Sequence, residues 1–166
     1  YDTEDAVTGA AFLGKQGLAR EDQLLITGGS AGGFTTLNAL CQYPNVFRAG
    51  ASLYGVANLY GIVADTHKLE LHYTDTLVGT LPEANQKFID RSAFFHADLI
   101  KAPLAVFQGD KDSVVPPTQS EELVKKLTRP VVYRLYEGEG HGFRKPETIL
   151  DYLQTVSSFL REYVIR

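Results

Sequence analysis

A serine set among glycines is the first feature of this sequence that suggests covalent chemistry. Ser30 lies in Gly28-Gly29-Ser30-Ala31-Gly32, which fits a G-x-S-x-G pattern. In that pattern a serine occupies a sharp turn between a strand and a helix, with its hydroxyl exposed. A turn this tight brings backbone segments together, so glycines two residues before and after the serine are expected where a Cβ would collide. Ser30 is therefore a candidate nucleophile.

The segments on either side of this turn fit a strand and a helix. Residues 24–27 are an apolar run of strand type. Residues at helical spacing follow the turn: Phe34, Leu37, Leu40 and Cys41. Because N–H groups at a helix start favour negative charge, the Ala31 N–H is a candidate donor to an oxyanion. A phosphate-binding loop is the alternative, but its G-x-G-x-x-G pattern would need glycine where Ser30 stands.

Two later loops supply the other groups that a nucleophilic serine needs. A serine hydroxyl is nearly inert at neutral pH until an imidazole takes its proton and a carboxylate orients that imidazole. His141 lies between two glycines after the predicted strand Val131–Tyr136. Asp110 and Asp112 both follow a predicted strand at residues 104–108, and spacing alone does not decide between them. The order Ser, Asp, His predicts acyl transfer to water.

Alternating strands and helices have to hold these loops together. A further strand is predicted at residues 49–54, and the first helix is predicted at residues 2–17. Thr118 and Glu121 form a capping box that should start a later helix. The last helix carries apolar residues at core spacing: Ile149, Leu153, Val156, Leu160 and Val164. This alternation indicates a parallel α/β sheet, in which the carboxyl ends of the strands share one edge.

The composition excludes several classes of function. The 166 residues suffice for one domain with a substantial core, and 44% hydrophobic residues are too many for a disordered chain. The net charge of −4, without any cluster of basic residues, argues against nucleic acid as a partner. No apolar run is long enough to span a membrane, so no membrane partner is expected. No motif in the sequence calls for a cofactor.

The cysteine and histidine positions do not predict a disulfide or a metal site. Cys41 is the single cysteine, and its place on an apolar helix face indicates packing. His67 and His72 lie near acidic residues but lack the i, i+4 spacing that places two ligands on one helix face. His96 is expected to be structural. We therefore expect no bound metal.

Longer stretches around the candidate residues resemble the prolyl oligopeptidase family of serine peptidases, most closely its acylaminoacyl-peptidase and dipeptidyl-peptidase-like branch. The resemblance is carried by residues 28–37, 52–56, 107–117 and 137–143. It implies an α/β-hydrolase fold, a parallel sheet with helices on both faces, in which Ser30 is the nucleophile and His141 the base. The family pattern G-x-x-D-x-x-V-P falls on residues 109–116, which implies that the acid is Asp112.

The resemblance also implies that much of the family's chain is absent from this sequence. Residues 1–166 are expected to be the C-terminal segment of the catalytic domain, an N-terminally truncated fold with the last four strands of the sheet. The β-propeller, the first strands and the second oxyanion donor would lie in the absent part. The lack of methionine and the start at Tyr1 fit this expectation. A strand left without its neighbour favours self-association or contact with the missing part.

The functional hypothesis is a serine peptidase that hydrolyses short peptides through an acyl-enzyme on Ser30. The same three residues would serve an esterase or lipase-like hydrolase, and a folded fragment with half of its oxyanion hole would be inactive. Tyr54, Val56 and Val115 are candidate pocket residues because they lie near predicted strand ends. Short peptides are the expected partners and the cytoplasm the expected location. Cleavage from the chain end or within the chain stays open.

Overall fold

The centre of the fold is a parallel sheet of four strands. The structure is a computed structural model that describes residues 1–65, 73–129 and 131–165. The strands are β1 (Leu25–Gly29), β2 (Ala49–Leu53), β3 (Leu104–Gly109) and β4 (Val131–Tyr136). They follow one another across the sheet in the order β1-β2-β3-β4, and every neighbouring pair is parallel. The predicted parallel sheet is confirmed, with small shifts at the strand ends.

Helices lie before, between and after the strands, and those between strands make the crossovers that parallel neighbours require. They are α1 (Asp2–Lys15), α2 (Ala31–Gln42), α3 (Leu59–Asp65), α4 (Tyr73–Leu77), α5 (Asn85–Asp90), α6 (Pro117–Lys126) and α7 (Pro146–Tyr163). A 3₁₀ segment spans Ala93–Leu99. In the described part of the chain, no helix is long and apolar enough to cross a membrane.

The two faces of the sheet bury separate apolar clusters. On one face, residues of α1, α2, α6 and the 3₁₀ segment pack against β1 and β3; the buried residues there include Leu37, Leu40, Leu104, Val106 and Leu123. On the other face, α7 packs Phe159 against Phe107 and the small residues of β2. Alternate residues of β3 serve the two clusters because successive strand side chains point to opposite faces. This is the α/β-hydrolase arrangement, with helices on both faces.

A third cluster lies beside the carboxyl ends of the strands. Helices α3 to α5, which connect β2 to β3, bury Leu59, Val78, Ala84 and Phe88 against Phe34 of α2. Phe88 is fully buried, and its ring lies 5.1 Å from that of Tyr60. The long connection therefore builds an apolar wall next to the start of α2.

The predicted start of α6 is wrong. The helix begins at Pro117 after Pro116, and no side chain caps it. Thr118 already lies in the first turn, so it cannot act as the cap. Proline is well suited to the first helical position because its fixed φ matches the helix and its missing N–H would have no helical partner there.

The predicted buried face of α7 is wrong in part. Ile149 and Leu153 are 40% and 56% exposed, whereas Phe159 is 2% exposed. The partly buried residues that pack beside Phe159 are Tyr152, Val156, Leu160 and Tyr163. The helix turns these large rings toward the sheet, because Phe107 offers an aromatic partner 4.9 Å from the Tyr152 ring.

Candidate active site

Ser30 lies at the turn between β1 and α2, in a backbone conformation that few residues adopt. Its φ is +55° and its ψ −118°. Strain of this kind persists only where the surroundings enforce it. Here the Ser30 N–H donates to the Leu53 carbonyl at 3.0 Å, and the Ser30 carbonyl accepts from the Phe34 N–H at 3.0 Å. The turn is thus held by β2 on one side and by the first helical turn on the other.

The need for glycine around Ser30 is only partly as predicted. A Cβ at Gly28 would lie 2.5 Å from the Gly32 backbone, so no side chain fits there. At Gly32 itself a Cβ would meet nothing within 4 Å, and the predicted steric need at that position is wrong. The second tight position is Gly33, where a Cβ would lie 2.5 Å from the Gly55 Cα. Contact between α2 and the loop after β2 therefore decides which glycines are required.

The structure brings Ser30, His141 and Asp112 together by a continuous path of hydrogen bonds. His141 Nε2 lies 2.9 Å from Ser30 Oγ, and His141 Nδ1 lies 2.9 Å from Asp112 Oδ2. A carboxylate oxygen can only accept, so Nδ1 carries the ring proton and Nε2 is left to accept the serine proton. The imidazole is therefore oriented as a base toward Ser30.

The Asp112 carboxylate is buried and held on both oxygens. Its side chain has no exposed surface. The N–H groups of Val114 and Val115 each donate to Oδ1 at 2.9 Å, and Gln108 Nε2 donates to Oδ2 at 3.2 Å. These bonds aim the carboxylate at His141. Donors that surround a carboxylate in this way compensate for its removal from water.

These contacts decide two questions that the sequence raised: whether Asp110 is the acid and whether Val115 lines a pocket. Asp110 accepts the Gly138 N–H at 2.6 Å, so it anchors the loop that carries His141 and does not meet the imidazole. Val115 is 2% exposed, and its backbone serves Asp112 and Gln108. Its assignment as a pocket residue is therefore wrong, because a buried side chain offers no surface to a substrate.

A buried glutamate holds the loop of His141 in place. Glu139 is 2% exposed, and its two carboxylate oxygens accept the N–H groups of Arg144 and Lys145 at 2.9 and 2.8 Å. Burial acts to raise the pKa of Glu139, but the bonds from Lys145 and Arg144, with the Thr148 hydroxyl, lower the pKa on balance. Sequence reasoning did not identify this residue, since an acidic residue in a glycine-rich loop usually faces solvent.

Tyr54 packs directly against the base. Its ring lies 4.8 Å from the His141 ring in an edge-to-face arrangement and 5.4 Å from the ring of Phe143. The residue has a positive φ of +37°, at the point where β2 ends. Tyr54 thus packs against the side of the His141 imidazole.

An open, mainly apolar cleft of about 400 Å³ includes Ala31, the residue after Ser30, in its lining. The rest of its lining is largely apolar, with Phe34, Val56, Leu59, Ile62, Leu77 and Val78, and Asp2, Thr74 and Arg91 add polar groups. Val56 thus lies at a cleft wall. Ala31 is the first residue of α2, where helical N–H groups have no partner within the helix. The cleft and a potential anion donor therefore lie on the same side of the turn.

The remaining candidates contribute no reactive group. Cys41 is buried, and burial raises the pKa of its thiol to about 12, which disfavours a thiolate. His96 lies 3.2 Å from the Ile89 carbonyl, a structural contact as predicted. His67 and His72 lie outside the described residues. Residues 1–65, 73–129 and 131–165 contain no group of three or more acidic, histidine or cysteine side chains that could hold a metal ion.

Comparison with known proteins places this arrangement in a family. The sequence matches the prolyl oligopeptidase family over residues 1–165. It is 32% identical to dipeptidyl peptidase family member 6 of Caenorhabditis elegans, over 98% of this chain and 23% of that protein. It is 31% identical to dipeptidyl aminopeptidase BIII of Pseudoxanthomonas mexicana, over 96% of this chain and 24% of that protein.

Solved structures agree with the sequence relatives. A puromycin-hydrolyzing peptidase of Mycobacterium tuberculosis superposes with a TM-score of 0.95 at 39% identity, over 98% of this chain and 25% of that one. The chain thus spans about a quarter of the length of the relatives that it matches. Within that span, the fold and the family match extend over nearly every residue. The chain therefore belongs to the prolyl oligopeptidase family.

Proposed function

We propose that this chain carries the nucleophile, base and acid of a serine peptidase that hydrolyses short peptides through an acyl-enzyme on Ser30. The observation that carries the proposal is the hydrogen-bond path from Ser30 through His141 to Asp112. Ser30 and His141 are only partly buried, so a substrate can reach them. The names of the relatives, two of which are dipeptidyl peptidases, support a peptide as substrate.

Acylation follows from the orientation of the imidazole. His141 Nε2 takes the proton of Ser30 Oγ while this oxygen attacks the carbonyl carbon of the scissile bond. The protonated imidazole is stabilised by Asp112, which keeps its negative charge and accepts from Nδ1. His141 then gives its Nε2 proton to the leaving amine. The products of this half-reaction are the free amine and an ester on Ser30.

Deacylation reverses the roles with water as nucleophile. His141 takes a proton from water, which attacks the ester carbonyl, and then returns the proton to Ser30 Oγ. In both steps negative charge develops on the carbonyl oxygen. The Ala31 N–H lies at the positive end of α2, where it can donate to that oxygen. Loss of one such donor typically costs about a hundredfold to a thousandfold in rate, so a second donor beside Ala31 would matter.

The cleft favours an apolar side chain next to the scissile bond. Phe34, Val56 and Leu59 present apolar surface beside Ala31. Burial of a substrate side chain there would gain about 25 cal/mol for each Å² removed from water. We therefore expect kcat/KM to be higher for substrates with a leucine or phenylalanine at that position than for those with aspartate.

The proposal is tested by covalent labelling of the serine. The chain is incubated with a fluorophosphonate and its intact mass is measured, beside Ser30→Ala and a matched control, Ser158→Ala, on the exposed side of α7. We expect one adduct on the wild-type chain and the control, and none on Ser30→Ala. Adduct formation that persists in Ser30→Ala, or its absence from a folded wild-type chain, contradicts the proposal.

Peptidase and esterase activity are separated by paired substrates. A leucine p-nitroanilide and the corresponding p-nitrophenyl ester share the acyl group and differ in the bond that is cleaved. A peptidase hydrolyses both, whereas an esterase hydrolyses the ester alone. Cleavage of the ester without any cleavage of the anilide would favour the esterase alternative.

We also propose that the isolated chain associates through the open edge of β1. Among the described residues β1 pairs with β2 alone, which leaves its other backbone edge without a strand. An unpaired strand edge is a template for pairing with another chain. Sedimentation velocity at micromolar concentration is expected to detect species larger than a monomer. A monodisperse monomer would contradict this.

A further inference from the structure

A glutamine in the middle of the sheet contacts the acid of the triad, and the mechanism above does not use it. Gln108 follows four apolar residues of β3 and is fully buried. Its Nε2 lies 3.2 Å from Asp112 Oδ2, the same oxygen that accepts His141 Nδ1–H. A polar side chain is costly in such a place unless its hydrogen bonds are made. Hydrogen bonds between Gln108 and its neighbours compensate for its burial.

The amide of Gln108 can face in only one direction. Its Nε2 meets three acceptors: the Asp112 carboxylate, the Val115 carbonyl at 3.1 Å and the Gly109 carbonyl at 3.3 Å. A rotated amide would place its oxygen against all three, which can only accept. On the other side, the Ser120 hydroxyl lies 2.9 Å from Gln108 Oε1 and donates to it.

Ser120 is equally shielded from solvent. It is 2% exposed, in the first half of α6, and its hydroxyl is the group that satisfies the oxygen of Gln108. The path therefore runs from α6 through Ser120 and Gln108 to Asp112, and from there to His141. The bonds that join Ser120, Gln108 and Asp112 are buried, so water does not compete for them and unpaired groups there are destabilising.

We propose that Gln108, fixed by Ser120, is a positioning residue that sets the direction of the Asp112 carboxylate toward His141. This inference rests on the proposed function for its effect on rate. Within the described ranges of the chain, two backbone N–H groups hold Oδ1 of Asp112, whereas the donors to Oδ2 are Gln108 and His141. Without Gln108, His141 is the donor to Oδ2 that remains among the described residues, and the carboxylate can rotate about its anchored Oδ1.

The variant that tests this is Gln108→Leu, with Gln119→Leu as its matched control. Gln119 is also buried, at 5% exposed, and makes three hydrogen bonds, one fewer than Gln108, all to the backbone of Ala57 and Asn58. Both variants replace the same buried amide by the same apolar side chain. A general loss of stability therefore affects both, while a loss of carboxylate orientation affects Gln108→Leu alone.

Two readouts separate this inference from the proposed function. The first is the rate at which a fluorophosphonate labels Ser30; a lost hydrogen bond to a charged group predicts a rate roughly tenfold to a hundredfold lower in Gln108→Leu than in the control. The second is the proton resonance of His141 Nδ1, assigned by its loss in His141→Gln, which needs no turnover. We expect it to shift or broaden in Gln108→Leu and to keep its position in the control.

Each outcome has a defined meaning. If the wild-type chain is not labelled, the proposed function fails, and the resonance alone decides this inference. If Gln108→Leu does not fold, Ser120→Ala replaces it, because this smaller change leaves Gln108 Oε1 without its donor and should produce a weaker effect of the same kind. The inference is overturned if Gln108→Leu, or Ser120→Ala in its place, has the labelling rate and the resonance of the control.

Discussion

Replacement of Glu139 by glutamine should destabilise the loop that carries His141. The change keeps the size of the side chain and removes one of its two acceptor oxygens. In the structure each oxygen accepts a backbone N–H, from Arg144 at 2.9 Å and from Lys145 at 2.8 Å. Glutamine can satisfy one of these N–H groups, and its amide nitrogen then faces the other as a second donor.

The size of the effect follows from these two bonds. Loss of a hydrogen bond to a buried charged group costs about 1.5–3 kcal/mol. The bond that remains becomes neutral, and neutral bonds are roughly half as strong. Together we expect the free energy of unfolding to fall by about 3 kcal/mol, a large part of the 5–15 kcal/mol that is usual for a domain.

The assay is urea denaturation followed by circular dichroism at pH 7. Glu137→Gln is the matched control, because Glu137 lies in the same loop, carries the same charge and is exposed. We expect its unfolding free energy to stay within about 0.5 kcal/mol of the wild-type value. Equal stability of the two variants would refute the assignment of Glu139 as the anchor of this loop.

Three further predictions concern the pH dependence of the Glu139 effect, the two glycines after Ser30 and the buried face of α7. Folding lowers the pKa of Glu139, so its carboxylate stabilises the folded state above the ordinary pKa of glutamate, and this stabilisation is lost as pH falls through the lowered pKa. The urea unfolding curves of wild type and Glu139→Gln should therefore converge in acid. A difference that stays constant with pH would count against this. Gly33→Ala should destabilise by about 1–3 kcal/mol through its clash with Gly55, whereas Gly32→Ala should be neutral or stabilising by about 0.5–1 kcal/mol; the reverse order in urea midpoints would refute the steric assignment. Phe159→Ala should cost about 3–5 kcal/mol and Leu153→Ala less than about 0.5 kcal/mol; thermal unfolding of the two variants checks which face of α7 is buried.

The turn at Ser30 was predictable because part of its cause is local. The glycine required at position 28 arises from the Gly32 backbone, four residues away in the chain, although the positive φ of Ser30 is also held by the Leu53 carbonyl of β2. The alternation of strand and helix is likewise indicated locally, by the spacing of apolar residues. The clash at Gly28 and the apolar spacing do not depend on which distant segments pack together. The order of Ser30, Asp112 and His141 along the chain is read directly from the sequence, and the resemblance to a known family predicted Asp112 rather than Asp110 as the acid.

Other parts of the site depend on contacts between distant residues. Spacing did not separate Asp110 from Asp112, because each follows the same strand; the structure separates them, since one meets Gly138 and the other meets His141. The burial of Val115 also depends on a contact made in the folded chain, because its backbone N–H donates to the Asp112 carboxylate and this bond fixes where Val115 lies. A position near a strand end does not reveal whether a side chain faces the cleft or the core.

The sequence by itself determined the strand, turn and helix around Ser30, the parallel α/β architecture and the chain order of Ser30, Asp112 and His141. Only the tertiary structure decided that Ser30 and His141, 111 residues apart, lie at 2.9 Å. It also decided that Glu139 and Gln108 are buried with their hydrogen bonds made. The physical reason is range: local sterics and periodicity act between neighbours in the chain, whereas the environment of a polar side chain is created by segments that meet only after folding.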